Sequence, residues 1–290
     1  MARSLTADQR GQLRGIPAPP PDLDVEAFPD FLIVGPQRTG TTWLFRNLNK
    51  HPQIYMPGGK EIYYFSFVGD SLKKLPDMDT MSKELAWYLQ FFEETAAGRD
   101  MRQQQCQADF GEDYAPAVRG EASATYAAGI SDEVLADLSV LNPALKVILI
   151  VRHPYERAWS HVKKDLNLDG DVGLDELDED LCRRQLGGAY ADACSRFSTI
   201  IDRWTAALAP DHLFVGNFED IQACPGDLLV RIFRFLGIRD DEKYVGDHAM
   251  RKICATDPRP IPDHVLPLLR DLYQGELEEL CRRGFPFDRH

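Results

Sequence analysis

Two apolar runs stand out along the chain, Phe31-Leu32-Ile33-Val34 and Val147 to Val151, each too short for a helix and each bounded by turn residues. Both predict buried strands. The first leads into a glycine-bounded turn and a helix starting near Thr41 or Thr42. The second follows Asn142-Pro143 and is stopped by Arg152-His153-Pro154, where proline ends a strand and suits the first turn of a helix. Weaker strand patterns occur at Ile54-Tyr55-Met56, Val118 to Glu121 and Leu213 to Val215. Apolar residues at helical spacing predict helices over Ser82 to Phe92, Asp132 to Leu141, Gly188 to Leu208 and Gly226 to Leu236. The last is the best marked, with Pro225 near its start, Leu228, Leu229, Ile232, Phe233 and Leu236 on one face, and Gly237 just past its end. Strands alternating with helices predict an α/β fold with a central parallel sheet flanked by helices on both faces.

A chain of 290 residues that is 44% hydrophobic can bury one sizeable core, so residues 31–290 are expected to form one domain. Residues 1–30, with Pro17, Pro19, Pro20, Pro21 and acidic neighbours, read as an N-terminal tail or strap. The formal net charge of −13 argues against nucleic acid or an anionic membrane as a partner, while leaving room for a local basic pocket. Cys106, Cys182, Cys194, Cys224, Cys254 and Cys281 show neither a C-x-x-C pair nor zinc-site spacing. They read as reduced thiols. Arg3, Asp8, Arg10 and Arg14 interrupt any signal-peptide core, and no later run approaches the ~18 apolar residues of a membrane span. The expectation is a cytoplasmic protein of undetermined oligomeric state. The acidic stretch Asp169 to Asp180 reads as a solvated loop or as a guard against anionic acceptors.

The segment Gly35-Pro36-Gln37-Arg38-Thr39-Gly40-Thr41-Thr42 lies between the first strand and its helix. Its glycines allow the tight turn that aims successive N–H groups inward, and the helix N-terminus adds partial positive charge. The G-x-x-x-x-G spacing is that of a P-loop, so the domain is expected to be P-loop-like. A P-loop NTPase places lysine directly after the second glycine; here that residue is Thr41, and the cation is Arg38 inside the loop. That shift brings the cation nearer a 5′-phosphate and its bridging oxygen, which suggests a short anhydride as ligand.

The stretch Phe31-Leu-Ile-Val-Gly-Pro-Gln-Arg-Thr-Gly-Thr-Thr-Trp-Leu44 resembles the 5′-phosphosulfate loop of sulfotransferases that use 3′-phosphoadenosine 5′-phosphosulfate (PAPS). It is most similar to the branch holding the heparan sulfate sulfotransferase domains and their bacterial relatives. In that family the loop cation is usually lysine, so Arg38 is a departure that keeps charge and adds donors. The resemblance implies that Gln37, Arg38, Thr39, Gly40, Thr41, Thr42 and Trp43 bind the cofactor. It also implies that Arg152, at a strand end, and Ser160, eight residues on, contact its 3′-phosphate. Arg251 and Lys252 are expected in the basic stretch that closes over the 3′-phosphate and adenine.

Lys60-Glu61-Ile-Tyr-Tyr-Phe65 resembles the family segment that carries the catalytic glutamate, which makes Glu61 the candidate base, with His51 and His161 behind it. Arg38 is the candidate for neutralising charge on the leaving oxygen. Gly120-Glu121-Ala122-Ser123-Ala124-Thr125-Tyr126 resembles a Gly-Glu-Lys-Ser-x-x-Tyr stretch whose lysine is Ala122 here, which weakens the case for a polysulfated glycan. The implied activity is metal-independent, in-line sulfuryl transfer from PAPS to a hydroxyl or amine, releasing adenosine 3′,5′-bisphosphate. A neutral glycan, a small natural product and a tyrosine-bearing peptide stay open as acceptors. Loops at Gly69 to Ser82, Ala97 to Ala117 and Asn167 to Gly188 are expected to select among them. The rival readings are a P-loop kinase or ATPase and a non-catalytic nucleotide-binding protein.

Overall fold

The structure, a computed structural model, describes residues 3–69, 81–166, 179–246, 249 and 260–288. A five-stranded sheet runs in the order β2-β3-β1-β4-β5, from strands β1 (Phe31–Gly35), β2 (Ile54–Tyr55), β3 (Val118–Ala122), β4 (Lys146–Val151) and β5 (Leu213–Asn217). Every pairing is parallel. β1 and β4 are buried on both faces, which is why they read as continuous apolar runs, whereas of the outer strands β2 has only two residues and β5 is half-buried along most of its length.

The helices, in chain order, are α1 (Ala7–Gln12), α2 (Thr41–Leu48), α3 (Tyr64–Val68), α4 (Leu85–Leu89), α5 (Ala96–Phe110), α6 (Asp132–Leu141), α7 (Pro154–Asp165), α8 (Glu179–Leu186), α9 (Ala189–Ala193), α10 (Phe197–Ala207), α11 (Asp220–Ala223), α12 (Pro225–Leu236) and α13 (Leu266–Arg282). Alternate residues of β1 divide between two cores. Phe31 and Ile33 pack with Trp43, Leu44 and Leu48 of α2 and with Leu228, Leu229, Ile232 and Phe233 of α12. Leu32 and Val34 face the other side, with α6, α10 and the N-terminal segment. A third cluster joins α7, α8 and α13 beyond the end of β4. Each fully buried Leu, Ile or Phe in these layers contributes about 1.5–3 kcal/mol.

Three expectations are corrected. The single helix expected over Gly188 to Leu208 is interrupted: α9 ends at Ala193 and α10 begins at Phe197. The first turn of α10 is capped from a distance, because Ser198 N–H and Ser198 Oγ donate to the two carboxylate oxygens of Glu276 on α13, at 2.8 and 2.7 Å. The stretch Ala97 to Ala117, expected as a loop, is largely the fifteen-residue α5. Only Cys106 of that helix is buried, so it lacks the apolar stripe that announces a helix; Thr95, whose Oγ1 accepts from Gly98 N–H, and Gly111 at φ 66° mark its two ends. The loop expected over Asn167 to Gly188 likewise ends in α8. The remainder of that span to residue 178, and residues 70–80, lie outside the described residues.

Residues 3–30 lie against the sheet. Leu5, Leu13, Ile16, Val25 and Phe28 are buried in the α6 and α10 core. Asp137 of α6 accepts the N–H groups of Arg14, Gly15 and Ile16 at 2.7–3.1 Å.

Candidate functional site

β1 ends in a loop that only glycine can build at two places. Gly35 has φ 101°, and a Cβ there would lie 2.3 Å from the Ala124 carbonyl oxygen; Gly40 has φ 83°, and a Cβ there would meet Ile221 Cδ1 at 2.5 Å. Between them the Gly35–Pro36 peptide is cis and Arg38 has φ 74°. Thr39 Oγ1 donates to the Pro36 carbonyl at 2.7 Å and closes the turn. Gly40 is the N-cap of α2 and offers no side-chain acceptor, so the first-turn N–H groups face outward for a ligand. The loop's other predicted contacts divide. Gln37 presents its backbone to the buried thiol of Cys194, and Trp43 is turned into the core, its indole N–H donating to the Ala249 carbonyl at 2.9 Å.

The second arm arrives from the neighbouring strand. Arg152 follows the last residue of β4, and its Nη1 donates to the Arg38 carbonyl at 3.0 Å while its guanidinium lies 4.4 Å from the Phe218 ring centre. Burial lowers its pKa to about 10, opposed by Glu156 and Glu219. It remains a cation at neutral pH. Ser160, on α7, accepts from Arg38 Nε at 3.0 Å. Arg38, Arg152 and Ser160 thus meet outside the carboxyl ends of adjacent strands, where open α/β sheets bind ligands. Arg251 and Lys252 lie outside the described residues.

Glu61 reaches the same region from a strained segment. It has φ 68° and Tyr63 has φ 62°, conformations that persist in non-glycine residues only where surrounding contacts impose them. Here the contacts come from the end of β3: Glu61 N–H donates to the Ala122 carbonyl at 2.7 Å, and Tyr63 N–H to Ser123 Oγ at 3.2 Å. The Glu61 carboxylate accepts the Ala124 N–H at 3.0 Å through one oxygen and pairs with Lys60 at 2.8 Å through the other. Lys60 Nζ also donates to Thr41 Oγ1 and Thr42 Oγ1, both at 3.1 Å. A single ammonium therefore separates the candidate base from the start of α2. The Ala122 methyl is buried in the α2 and α12 core.

Beneath this segment sits a polar cluster that the sequence reading passed over. Glu121, 1% exposed, accepts from Tyr88 Oη at 2.5 Å, Ser123 Oγ at 2.6 Å and Tyr126 Oη at 2.8 Å. Burial raises its pKa to about 7 against the lowering effect of those three donors. Glu121 and Tyr126 belong to the same sequence stretch that drew attention to Ala122, which was the available signal. Both histidines held behind Glu61 as candidate bases are buried and partnered. His51 is wedged between Phe233 and Tyr244; its Nδ1 accepts from Gln53 N–H at 3.1 Å, so its Nε2 carries the proton and donates to the Arg239 carbonyl at 2.9 Å. His161 accepts from Arg157 through Nδ1 at 3.2 Å and pairs with Asp165 through Nε2 at 3.0 Å. Desolvation lowers the pKa of each to about 4.

A family model described as the sulfotransferase family matches residues 29–242. The bifunctional heparan sulfate N-deacetylase/N-sulfotransferase 1 of Homo sapiens is 24% identical over 250 residues, covering 81% of this chain and 24% of that protein. The membrane-associated sulfotransferase kil1 of Dictyostelium discoideum is 26% identical over 132 residues, covering 46% of this chain and 22% of that protein. The chain thus spans about a quarter of the length of these curated relatives. The crystal structure of a sulfotransferase from Alicyclobacillus acidocaldarius superposes with a TM-score of 0.62 at 20% identity, covering 89% of this chain and 97% of that one, a likeness of fold. Because the family match takes in the β1 loop, the Glu61 segment and the end of β4 together, the chain belongs to the sulfotransferase family.

Proposed function

We propose that the chain transfers a sulfuryl group from PAPS to a hydroxyl or amine acceptor and releases adenosine 3′,5′-bisphosphate. The observation that carries this reading is the meeting of Arg38, Arg152 and Ser160 at the ends of β1 and β4, with Glu61 held beside the start of α2. The donor set fits a nucleotide carrying anions at both ends. A chain of net charge −13 gathers Arg38, Lys60 and Arg152 with the hydroxyls of Thr41, Thr42 and Ser160 around an uncapped helix terminus. In the reaction, the acceptor oxygen or nitrogen bonds to sulfur while the bond from sulfur to the 5′-phosphate oxygen breaks. The electron pair stays on that oxygen, and the acceptor proton passes to the Glu61 carboxylate.

The acceptor is a finer matter. Ala122 supplies no cation near the Glu61 segment, and the whole-chain charge disfavours a polyanion, so an uncharged hydroxyl or amine on a glycan or a small natural product is the class to test first. Heparan sulfate, named for the human relative, belongs in the same panel as its unsulfated precursor. We also propose a cytoplasmic setting, supported by the buried single thiols of Cys106, Cys182 and Cys194.

Thermal unfolding with adenosine 3′,5′-bisphosphate, ATP–Mg²⁺ and 5′-AMP tests the cofactor class. A ligand at a hundredfold its Kd stabilises the fold by about 2.7 kcal/mol. The bisphosphate is expected to raise Tm and the other two to raise it little; a rise with ATP–Mg²⁺ alone would replace this reading by a kinase-like one. Glu61→Gln should keep bisphosphate binding and slow transfer by about 10²–10⁴-fold. An unchanged transfer rate would remove Glu61 from the role of base.

A further inference from the structure

We propose that Lys60 is a donor-binding cation of the site, its charge set against the 5′-phosphosulfate end of the nucleotide beside the first turn of α2. The inference rests on the sulfotransferase reading and deepens it. Arg38, the only cation within the loop sequence, has its Nε directed at Ser160, on the α7 side of the site. The ammonium at the opposite side belongs to a residue outside the loop. Lys60 Nζ lies 3.1 Å from both Thr41 Oγ1 and Thr42 Oγ1, the first two residues of α2.

An ammonium has three N–H donors, and Lys60 matches them with the two hydroxyls and the Glu61 carboxylate. That geometry fixes the charge next to outward-facing N–H groups while leaving the side chain about 20% exposed. Each threonine hydroxyl that accepts from Lys60 keeps its own proton to donate to an incoming anion. The neighbouring Glu61 carboxylate would otherwise repel that anion, so the ammonium between them serves both charges. Placement is enforced from below, since Glu61 N–H and Tyr63 N–H are tied to β3 residues Ala122 and Ser123. A lysine in this place reproduces, from a separate segment, the point charge that an NTPase P-loop carries after its second glycine.

The test uses two half-ligands and calorimetry on the full chain. Adenosine 5′-phosphosulfate carries only the 5′ end, and adenosine 3′-monophosphate only the 3′ end. All Lys60 variants are made in the Glu61→Gln background, so that loss of the ammonium does not simply unmask a carboxylate. Lys60→Met is expected to weaken the phosphosulfate tenfold or more and to leave the 3′-monophosphate within twofold. Lys60→Gln, which keeps a donor for Thr41 and Thr42, provides the same comparison should Lys60→Met fold poorly, and Lys60→Arg should restore binding. Arg152→Ala is expected to do the reverse, weakening the 3′-monophosphate and sparing the phosphosulfate. Equal losses on both half-ligands, or none on the phosphosulfate, would overturn the role of Lys60. Failure of the unsubstituted chain to bind either half-ligand would instead overturn the sulfotransferase reading and this inference with it.

Discussion

Glu121 carries an unusual load for one buried carboxyl: through Ser123 it supports Tyr63, and through Tyr88 and Tyr126 it ties α4 and the β3 end to the segment that presents Glu61. Its pKa, raised to about 7 from 4.5 chiefly by burial, also makes it a contributor to pH-dependent stability. The folded state holds a proton that the unfolded chain releases above about pH 4.5, so this contribution is present below that pH and is lost as pH rises through about 7. The loss amounts to roughly 3 kcal/mol. His51 and His161, lowered to about 4, act in the opposite direction, since the unfolded chain takes up protons below about 6.5 that the folded chain refuses. The useful quantity is therefore a difference between variants. Relative to the unsubstituted chain, Glu121→Gln is expected to gain roughly 3 kcal/mol in urea unfolding between pH 5 and pH 8. A gap that stays constant with pH would show that Glu121 ionises normally.

At the scale of elements, α10 shows how one helix start depends on another helix. The chain from α9 to Phe197 has no strong local capping signal, and the cap residue Arg196 makes no side-chain cap hydrogen bond. Glu276 supplies the acceptors from α13 instead. Glu276→Ala is expected to cost about 1–2 kcal/mol, the usual loss when a helix cap is removed. The same change should speed amide exchange at Ser198 and its neighbours before the rest of the fold opens. Uniform acceleration across the sheet would mean that the contact is not a local cap. By contrast, α12 was legible residue by residue, because its proline start, apolar face and glycine stop are all local, with Gly237 at φ 78°.

For the molecule as a whole, the N-terminal segment closes one face of the sheet. Five of its apolar side chains are buried beside Val134, Leu138 and Leu141, and the Asp137 carboxylate gathers three consecutive backbone N–H groups. Arg3 adds a bond from Nη2 to the Leu141 carbonyl at 2.7 Å. Asp137→Ala leaves those three donors without their acceptor, and hydrogen bonds to charged groups contribute about 1.5–3 kcal/mol each. The variant is expected to lose about 3 kcal/mol or more and to expose residues 3–25 to proteases, while the core sheet persists. Retained protection of that segment would show that its apolar side chains alone hold it.

The fold class, all five strands and the β1 loop were readable in the sequence because they are local statements. A buried parallel strand needs a short apolar run, and the loop needs glycine where φ is positive, as at Gly35 and Gly40. The convergence of Arg38 and Arg152 at the strand ends was the expectation; the bond from Arg38 to Ser160, 122 residues apart, was not in it. Three-dimensional structure alone decided the rest. Helix α5 was hidden because a polar helix with one buried residue has no periodic stripe to read. The break before α10, the Asp137 clasp and the reach of Lys60 onto Thr41 and Thr42 join residues 18 to 123 positions apart. Periodicity and motif spacing record contacts within a turn or a strand, whereas these partners become neighbours only once the sheet has assembled and brought its connecting segments together.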